Sequence, residues 1–383
     1  MAFTDHNVEV NALGIPRAVF RCAAEVAEQF RSRTDVSLDV GQVLTGRAHL
    51  LGTAPAGHIS AGGATHLLRT LDGWCAITLA RKDDVAAVPA MIEADHALDD
   101  SWPMVHEWAS ARCTASVVER ARLLDIPAAA LFETVAAPPR VLSLGAAGAP
   151  RRAAGLLVAD LTSMWAGPLC GQVLARAGAI VVKVESPSRP DGTRVGNPTF
   201  FDWMNGGKLS YAIDFDRDCD RLRALLTAAD VVLEGSRPAA LSRRGLGPTD
   251  VGGPTGRVWL RISGYGTLGE NAHRACFGDD AAVAGGLVGW SDGEPTFCGD
   301  AIADPLTGLS AALAVVDALD AGGGQLIEIS MAEIAASYAA MPKTADQDRD
   351  QPMPPIARTP ASSLGADNDA VARLLRKRTG KAC

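Results

Sequence analysis

The chain has 383 residues, enough for two or three domains around a sizeable core. With 48% hydrophobic and 21% charged residues, its composition is that of a soluble globular protein. A net charge of −8 argues against a nucleic-acid or anionic-membrane partner, and leaves room for a local basic pocket that takes phosphates.

The first predicted element is an amphipathic helix from Pro16 to about Arg33, with Val19, Phe20, Ala23, Val26 and Phe30 at helical spacing and Thr34-Asp35 at its end. Gly62 and Gly63 then precede a hairpin pattern: Leu67-Leu68-Arg69, a turn at Asp72-Gly73, and a strand from Trp74 to Leu79. Asp83 or Asp84 is expected to cap a helix to about Ile92. Helices over Trp102–Arg112 and Ala115–Leu124 follow, and residues 136–155, rich in Pro, Ala and Gly, read as a linker.

Strand Val158 to Leu161 runs into a turn at Ala166-Gly167-Pro168 and a helix through Leu174 and Arg176. Gly178 ends that helix, and a second strand reaches Glu185. This is a βαβ unit, which implies a parallel sheet with a ligand crevice at its strand ends. The spacing is not GxGxxG, so a dinucleotide fingerprint is absent. Further strands at 210–214, 230–234, 257–263 and 325–330 alternate with helices at 217–228, 305–319 and 331–340. That alternation favours a doubly wound parallel sheet. Ala345 to Pro360 reads as an extended tail, and Asp367 to Arg378 as a terminal helix. The expected fold is α/β: a large domain with a Rossmann-like, doubly wound parallel sheet, and a smaller α+β domain.

The eight cysteines are scattered, with no CxxC and no Cys/His pair at zinc spacing, so no metal site is expected. Reduced thiols fit a cytoplasmic location. MAFTDHNVEV has no apolar signal core, and no run of about 20 apolar residues exists, so no membrane association is expected.

The stretch VADLTSMWAGPLCGQVLARAGAIVVKVESP (158–187) resembles the opening signature of the family III CoA-transferases, which also include acyl-CoA racemases. NGGKLSYAID (205–214), ADVVLEGSRPAALSRRGLG (229–247), RISGYG (261–266), GDAIADPLTGLSAALAVVDAL (299–319) and GGGQLIEISMAEIA (322–335) follow in the family's order. The usual order then continues with a glycine-rich flap, a small domain and a return to the large domain. Here SAGGATHLLRTLDGWCAITLA (60–80) and TASVVERARLLDIPAAALFE (114–133) resemble those parts but come first, and PPIARTPASSLGADNDAVARLL (354–375) resembles the usual C-terminus. The resemblance therefore implies a permuted member. It has an N-terminal helix at 1–35, a small domain with the glycine flap at 36–135 and the linker at 136–155. A large CoA-binding catalytic domain at 156–342 and a tail and helix at 343–383 complete it. Exposed linkers and termini tolerate such permutation.

Transfer of CoA between acids needs a carboxylate nucleophile, and the resemblance assigns it to Asp304. Read locally, Asp304 before Pro305 and an apolar-periodic run is a helix start, with Asp304 as N-cap. The two readings are compatible, because a helix N-terminus stabilises negative charge. Asp300 reads as a turn residue. Asp279 matches the family's upstream acid, or is a plain turn acid, and Gly278 falls where racemases carry a proton-shuttling His. His273 would replace that His only after a loop shift, and reads rather as a surface residue. Gly62 and Gly63 match the flap, where bare backbone amides approach a thioester, or form an ordinary turn. The resemblance gives CoA and acyl-group contacts to Trp165, Ala166, Glu185, Ser186, Arg237 and Arg243, with Arg243 the leading phosphate candidate and Arg244 beside it. Ser186, Asp216 and Gly235-Ser236 depart from the family pattern, which leaves a degenerate, non-catalytic homologue as an alternative beside the racemase. No permanently bound cofactor is implied. CoA and acyl-CoA enter as substrates with a small carboxylic acid, and family members form homodimers whose chains interlock, so a homodimer is implied.

Overall fold

The computed structural model describes residues 13–94, 100–235, 237, 239–341, 355 and 359–380. Ser236, Cys383 and most of the predicted extended tail lie outside them. Helix α1 (Arg17–Thr34) ends on Asp35 in the left-handed region at φ +60°. Helix α2 (Val40–Leu51) has Asp39 as its cap, accepting the Gln42 N–H at 3.0 Å, and Gly52 at φ +65° beyond its end. Strands β1 (Thr65–Arg69), β2 (Trp74–Thr78) and β3 (Ala128–Ala130) form an antiparallel sheet. Between β2 and β3 run α3 (Lys82–Ile92), α4 (Trp102–Ser110) and α5 (Thr114–Leu123). The cap of α3 is Arg81 rather than an aspartate. Asp84, in the first turn, accepts the Arg81 N–H at 2.7 Å.

Strand β4 (Arg140–Ser143) then leads to β5 (Leu157–Leu161), α6 (Ala166–Arg176), β6 (Ile180–Glu185), α7 (Thr193–Gly196), α8 (Pro198–Asn205), β7 (Leu209–Ala212), α9 (Cys219–Ala228), β8 (Val231–Glu234), α10 (Ala239–Ser242) and β9 (Val258–Ser263). Helix α11 (Gly278–Ala284), the hairpin β10 (Gly289–Ser291) and β11 (Glu294–Thr296), α12 (Ala303–Asp320), β12 (Gln325–Ser330), α13 (Met331–Ala339) and α14 (Asn368–Thr379) complete it. The large sheet has the order β4-β12-β9-β8-β5-β6-β7 and is parallel except for β4, which pairs antiparallel with β12. The segment read as a linker thus contributes an edge strand: Arg140–Ser143 supplies the partner that β12 would otherwise lack.

Alternate residues of the strands point to opposite faces. Val158, Leu233, Leu260 and Ile327 face one core with α6, α12 and α13. Leu157, Val182, Val232 and Trp259 face a second, closed by residues of α9 and α14. Leu13, Val19, Phe30, Val43 and Leu44 belong to the first core, so α1 and α2 cover α12. Helix α2 packs on α1, α8 and α12, whereas β1–β3 pack with α3, α4 and α5 around a third core and reach α11. From β5 the chain winds outward through β6 and β7 on one side, and through β8 and β9 on the other. The crevice of this topology therefore opens beyond the C-terminal ends of β5 and β8.

Candidate active site

At the end of β5 the chain turns through Thr162–Trp165 into α6, and two buried lysines hold this turn. Lys183 donates to the Thr162 carbonyl and, at 2.8 Å, to Asp191 Oδ2, which also accepts the Met164 N–H at 3.1 Å. Lys208 donates to Asp160 Oδ2 and to the Pro168 carbonyl, each at 2.8 Å. Burial alone would raise the pKa of Asp160, but Lys208 and Lys183 outweigh it and hold the carboxyl below its usual range. This pinning keeps Met164 at φ +73°, a conformation that costs a side-chain-bearing residue about 1–3 kcal/mol. It also aims the first amide of α6 at Asp304: the Ala166 N–H donates to Asp304 Oδ1 at 3.3 Å.

Asp304 arrives on α12. The helix begins two residues earlier than its Asp-Pro sequence suggests, with Ile302 rather than Asp304 at the cap position. Asp304 therefore lies in the first turn and makes no cap bond. Its own N–H donates to the Ala301 carbonyl at 2.8 Å, and Ala301 is held at φ +42°. The carboxyl thus leaves the cap role free and meets α6 across the helix–helix contact, where both N-termini favour negative charge. Gly278 closes one flank. A Cβ there would lie 2.3 Å from Asp304 Oδ2 and 2.4 Å from the Ala301 carbonyl oxygen.

Asp279 stands beside it on α11, accepting the Ala301 N–H at 3.0 Å and the Thr65 hydroxyl at 3.3 Å. Asp280, fully buried, accepts from the Tyr265 hydroxyl at 2.5 Å, the Phe277 N–H at 2.8 Å and the Thr78 hydroxyl at 3.2 Å. Asp300, also fully buried, binds Arg47 Nη1 at 2.5 Å through Oδ1, while its Oδ2 has no hydrogen-bond partner. Desolvation and the neighbouring carboxylates push Asp279 up to about 7. Asp304 is also raised to about 7, by burial first and by Asp300 and Asp280 next, against the lowering pull of the Ala166 N–H and Arg47. As whole residues Asp279 and Asp304 are nevertheless partly exposed, unlike Asp280 and Asp300. A carboxylate between two helix N-termini can attack an electrophilic carbon brought to it, and the same N–H groups can stabilise charge that develops there.

The other sequence-predicted residues divide. Trp165 and Ala166 lie at the start of α6 within this site. Gly62 and Gly63 form an exposed turn two residues before Thr65, with Gly63 at φ +73°. The Glu185 carboxylate is committed internally: it pairs with Arg194 at 2.7 Å and accepts the Asp191 N–H at 2.9 Å. It therefore steadies the residue that holds the Met164 turn. Ser186 bonds Ser188 at 2.9 Å between their hydroxyls. Arg237 pairs with Asp125 at the end of α5, and Arg244 pairs with Asp216 at 2.7 Å, which accounts for the acid at that position. Arg243 is exposed and has no ion-pair partner among the described residues. His273 ends an exposed 3-10 turn, Gly269–His273.

Sequence reasoning missed Arg47, Thr65 and the Lys183–Asp191 pair. Arg47 had a legible signal: it lies three and four residues after Leu44 and Val43, on the buried stripe of α2, where a cation needs a partner. Thr65 and Asp191 had none, since both are brought in by tertiary contacts alone.

The model of CoA-transferase family III matches residues 154–364, more than half the chain. Among curated proteins, the chain is 33% identical to succinyl-CoA–D-citramalate CoA-transferase of Chloroflexus aurantiacus over 201 residues, covering 48% of this chain and 50% of that protein. It is 30% identical to succinate–glutarate CoA-transferase of Agrobacterium fabrum, covering 49% and 52%. A crystal structure of a hypothetical protein of Mycobacterium tuberculosis, Rv3272, matches at 30% identity with a TM-score of 0.45, covering 50% and 57%. The chain spans about half the length of the curated relatives it matches. By the family model, and by the α/β architecture that carries its motifs in order, this chain is a member of CoA-transferase family III.

Proposed function

We propose that the chain transfers CoA from an acyl-CoA thioester to a carboxylic acid, with Asp304 as the nucleophile. The observation that carries this is the Asp304 carboxylate in the first turn of α12, facing the Ala166 N–H of α6 on a residue that is partly exposed. An Asp304 oxygen attacks the thioester carbonyl carbon, the C–S bond breaks and CoA thiolate leaves, giving a mixed anhydride. The thiolate then attacks the Asp304 carbonyl carbon and releases the donor acid, leaving an Asp304–CoA thioester. The acceptor carboxylate attacks that thioester, and returning thiolate takes the acyl group, restoring Asp304. Each step exchanges one acyl bond for another, so protons and electrons balance.

In this reading Asp279 is a positioning residue. It accepts the Ala301 N–H, and the carbonyl of the same residue accepts the Asp304 N–H, so Asp279 steadies the turn that presents Asp304. The Gly62-Gly63 turn covers the acyl group, Trp165 lines its pocket, and Arg243 with Arg237 receives CoA phosphates near Ser186. CoA is substrate rather than resident cofactor, and the assembly is a homodimer. The permuted order belongs to the same proposal, with β1–β3 and α3–α5 as the displaced small unit and α2 joined to the catalytic unit by its packing. The racemase alternative loses support at Gly278, where any side chain would strike Asp304.

The test is trapping. Incubation with succinyl-CoA and hydroxylamine is expected to convert Asp304 to a hydroxamate detectable by peptide mass spectrometry. Asp304→Ala is expected to abolish both the adduct and CoA exchange. Full exchange by that variant, or an adduct elsewhere, rejects the mechanism.

A further inference from the structure

The acceptor acid must bring its own carboxylate to a site already crowded with carboxylates. Asp279, Asp280, Asp300 and Asp304 converge there, and Arg47 is the cation that bears on Asp279, Asp300 and Asp304 alike. Helix α2 delivers its guanidinium over the rings of Trp165, at 5.4 Å, and Phe200, at 5.6 Å. Those two rings meet edge to face, so one surface of the guanidinium lies against aromatic carbon instead of water. Among the described residues only Nη1 is hydrogen-bonded, to Asp300. The Nε and Nη2 N–H groups remain open, and a quarter of the side chain is exposed.

A second donor waits in the same place. Trp165 is 3% exposed, and its indole Nε1 has no hydrogen-bond partner. A buried N–H left bare costs about 1–3 kcal/mol, which an acceptor oxygen would recover. Trp165 is also the residue before Ala166, whose N–H holds Asp304, and Asp300 precedes Asp304 by four residues in the chain. The Arg47 guanidinium, which interacts with the Asp304 charge, thus lies over the Trp165 ring whose indole N–H is bare.

We infer that Arg47, anchored by Asp300 and backed by Trp165 and Phe200, is the residue that binds the carboxylate of the acceptor acid beside Asp304. This rests on the transferase reading above and names the acceptor site within it. Two parallel N–H groups of a guanidinium match the two oxygens of a carboxylate, whereas a lysine ammonium offers only a point charge. The timing also fits. When Asp304 is held as its CoA thioester it carries no charge, so the incoming anion meets one fewer repelling carboxylate.

The experiment uses the full chain. Glutarate and acetate are titrated calorimetrically at about pH 6, where Asp279 and Asp304 hold protons. Arg47→Met alone would strand the Asp300 charge, so the Arg47→Met/Asp300→Asn double variant is used with Arg47→Lys beside it. Wild type is expected to bind at least one acid. The double variant should lose about ten- to a hundredfold in affinity, the worth of a charge-assisted pair, with Arg47→Lys in between. Binding by the double variant equal to wild type, or no binding of either acid by wild type, overturns the inference. If Arg47 served only to hold the fold, Arg47→Lys with a native melting temperature would bind like wild type, and that result overturns it too. Hydroxylamine trapping on the same samples separates the two claims. An Asp304 adduct without acid binding rejects the acceptor site and keeps the transferase. Acid binding through Arg47 without an adduct does the reverse.

Discussion

Asp304 and Asp279 both hold their protons to about pH 7, because burial and neighbouring carboxylates penalise their charged forms. A nucleophilic carboxyl must be ionised to attack. CoA release from an acyl-CoA in a single turnover is therefore expected to rise with pH and to reach half its limit near 7, as a pH series of stopped-flow traces would record. A rate already at its limit near pH 5 would show that Asp304 titrates normally. The same shift has a stability cost, since folded carboxyls above the ordinary value near 3.8 bind protons that the unfolded chain has lost. Stability thus falls as pH rises between about 4 and 7, and the penalty is complete above that range. Asp304→Asn is expected to stabilise the protein by about 1–3 kcal/mol at about pH 8 and hardly at all near pH 4, checked by urea unfolding at both values. At this scale the sequence was partly legible. Asp304 stood out through the order of motifs around it, and its Asp-Pro pair announced a helix start. That the helix begins two residues earlier, freeing the carboxyl from capping, goes with Ala301 in the left-handed region, a backbone state that its alanine side chain does not advertise.

The site is made by two helices approaching closely, and a glycine permits it. A Cβ on Gly308 of α12 would lie 2.7 Å from the Ala166 carbonyl oxygen and 2.8 Å from Leu169 Cδ2 on α6. Gly308→Ala is therefore expected to push the α6 start away from Asp304, costing about 1–3 kcal/mol and most of the hydroxamate yield. Urea unfolding and trapping on one preparation measure both. Retention of both would mean that the helices do not depend on this contact. The parallel strands were readable because strands buried on both faces give short apolar runs bounded by turns. Strand β4 was not, since its composition is that of a connection, and pairing with β12 decides it. Helix α2 carries Gly41, Thr45 and Gly46, which dilute helical propensity, and only tertiary packing against Trp203 and Pro355 explains why Gly46 is tolerated there.

Across the whole molecule, the part matched by the family model does not hold the site alone. Arg47, Thr65 and Thr78 come from residues before 154, and α1 covers α12 with Val19, Ala23 and Phe30. The two portions also meet at Arg274, which donates to the Ala128 carbonyl at 2.8 Å and to Glu133 at 2.5 Å, and at the Arg237–Asp125 pair. All these contacts are non-covalent, and the chain crosses from one portion to the other through 136–139, which carries no helix or strand. A contact set of this kind fixes the packing without fixing the order of the segments, which is the physical basis of the permutation proposal. A rearranged chain is therefore expected to fold and react: residues 137–341 first, then 13–135 joined through a Gly/Ser linker of about 15 residues, and 355–380 last through a second linker. It should melt cooperatively within about 5–10 °C of the original, because longer closures cost little entropy, and it should give the Asp304 hydroxamate from succinyl-CoA. A rearranged chain that melts cooperatively but shows no adduct, while the original order does, would mean that chain order itself shapes the site, and the permutation proposal would fall.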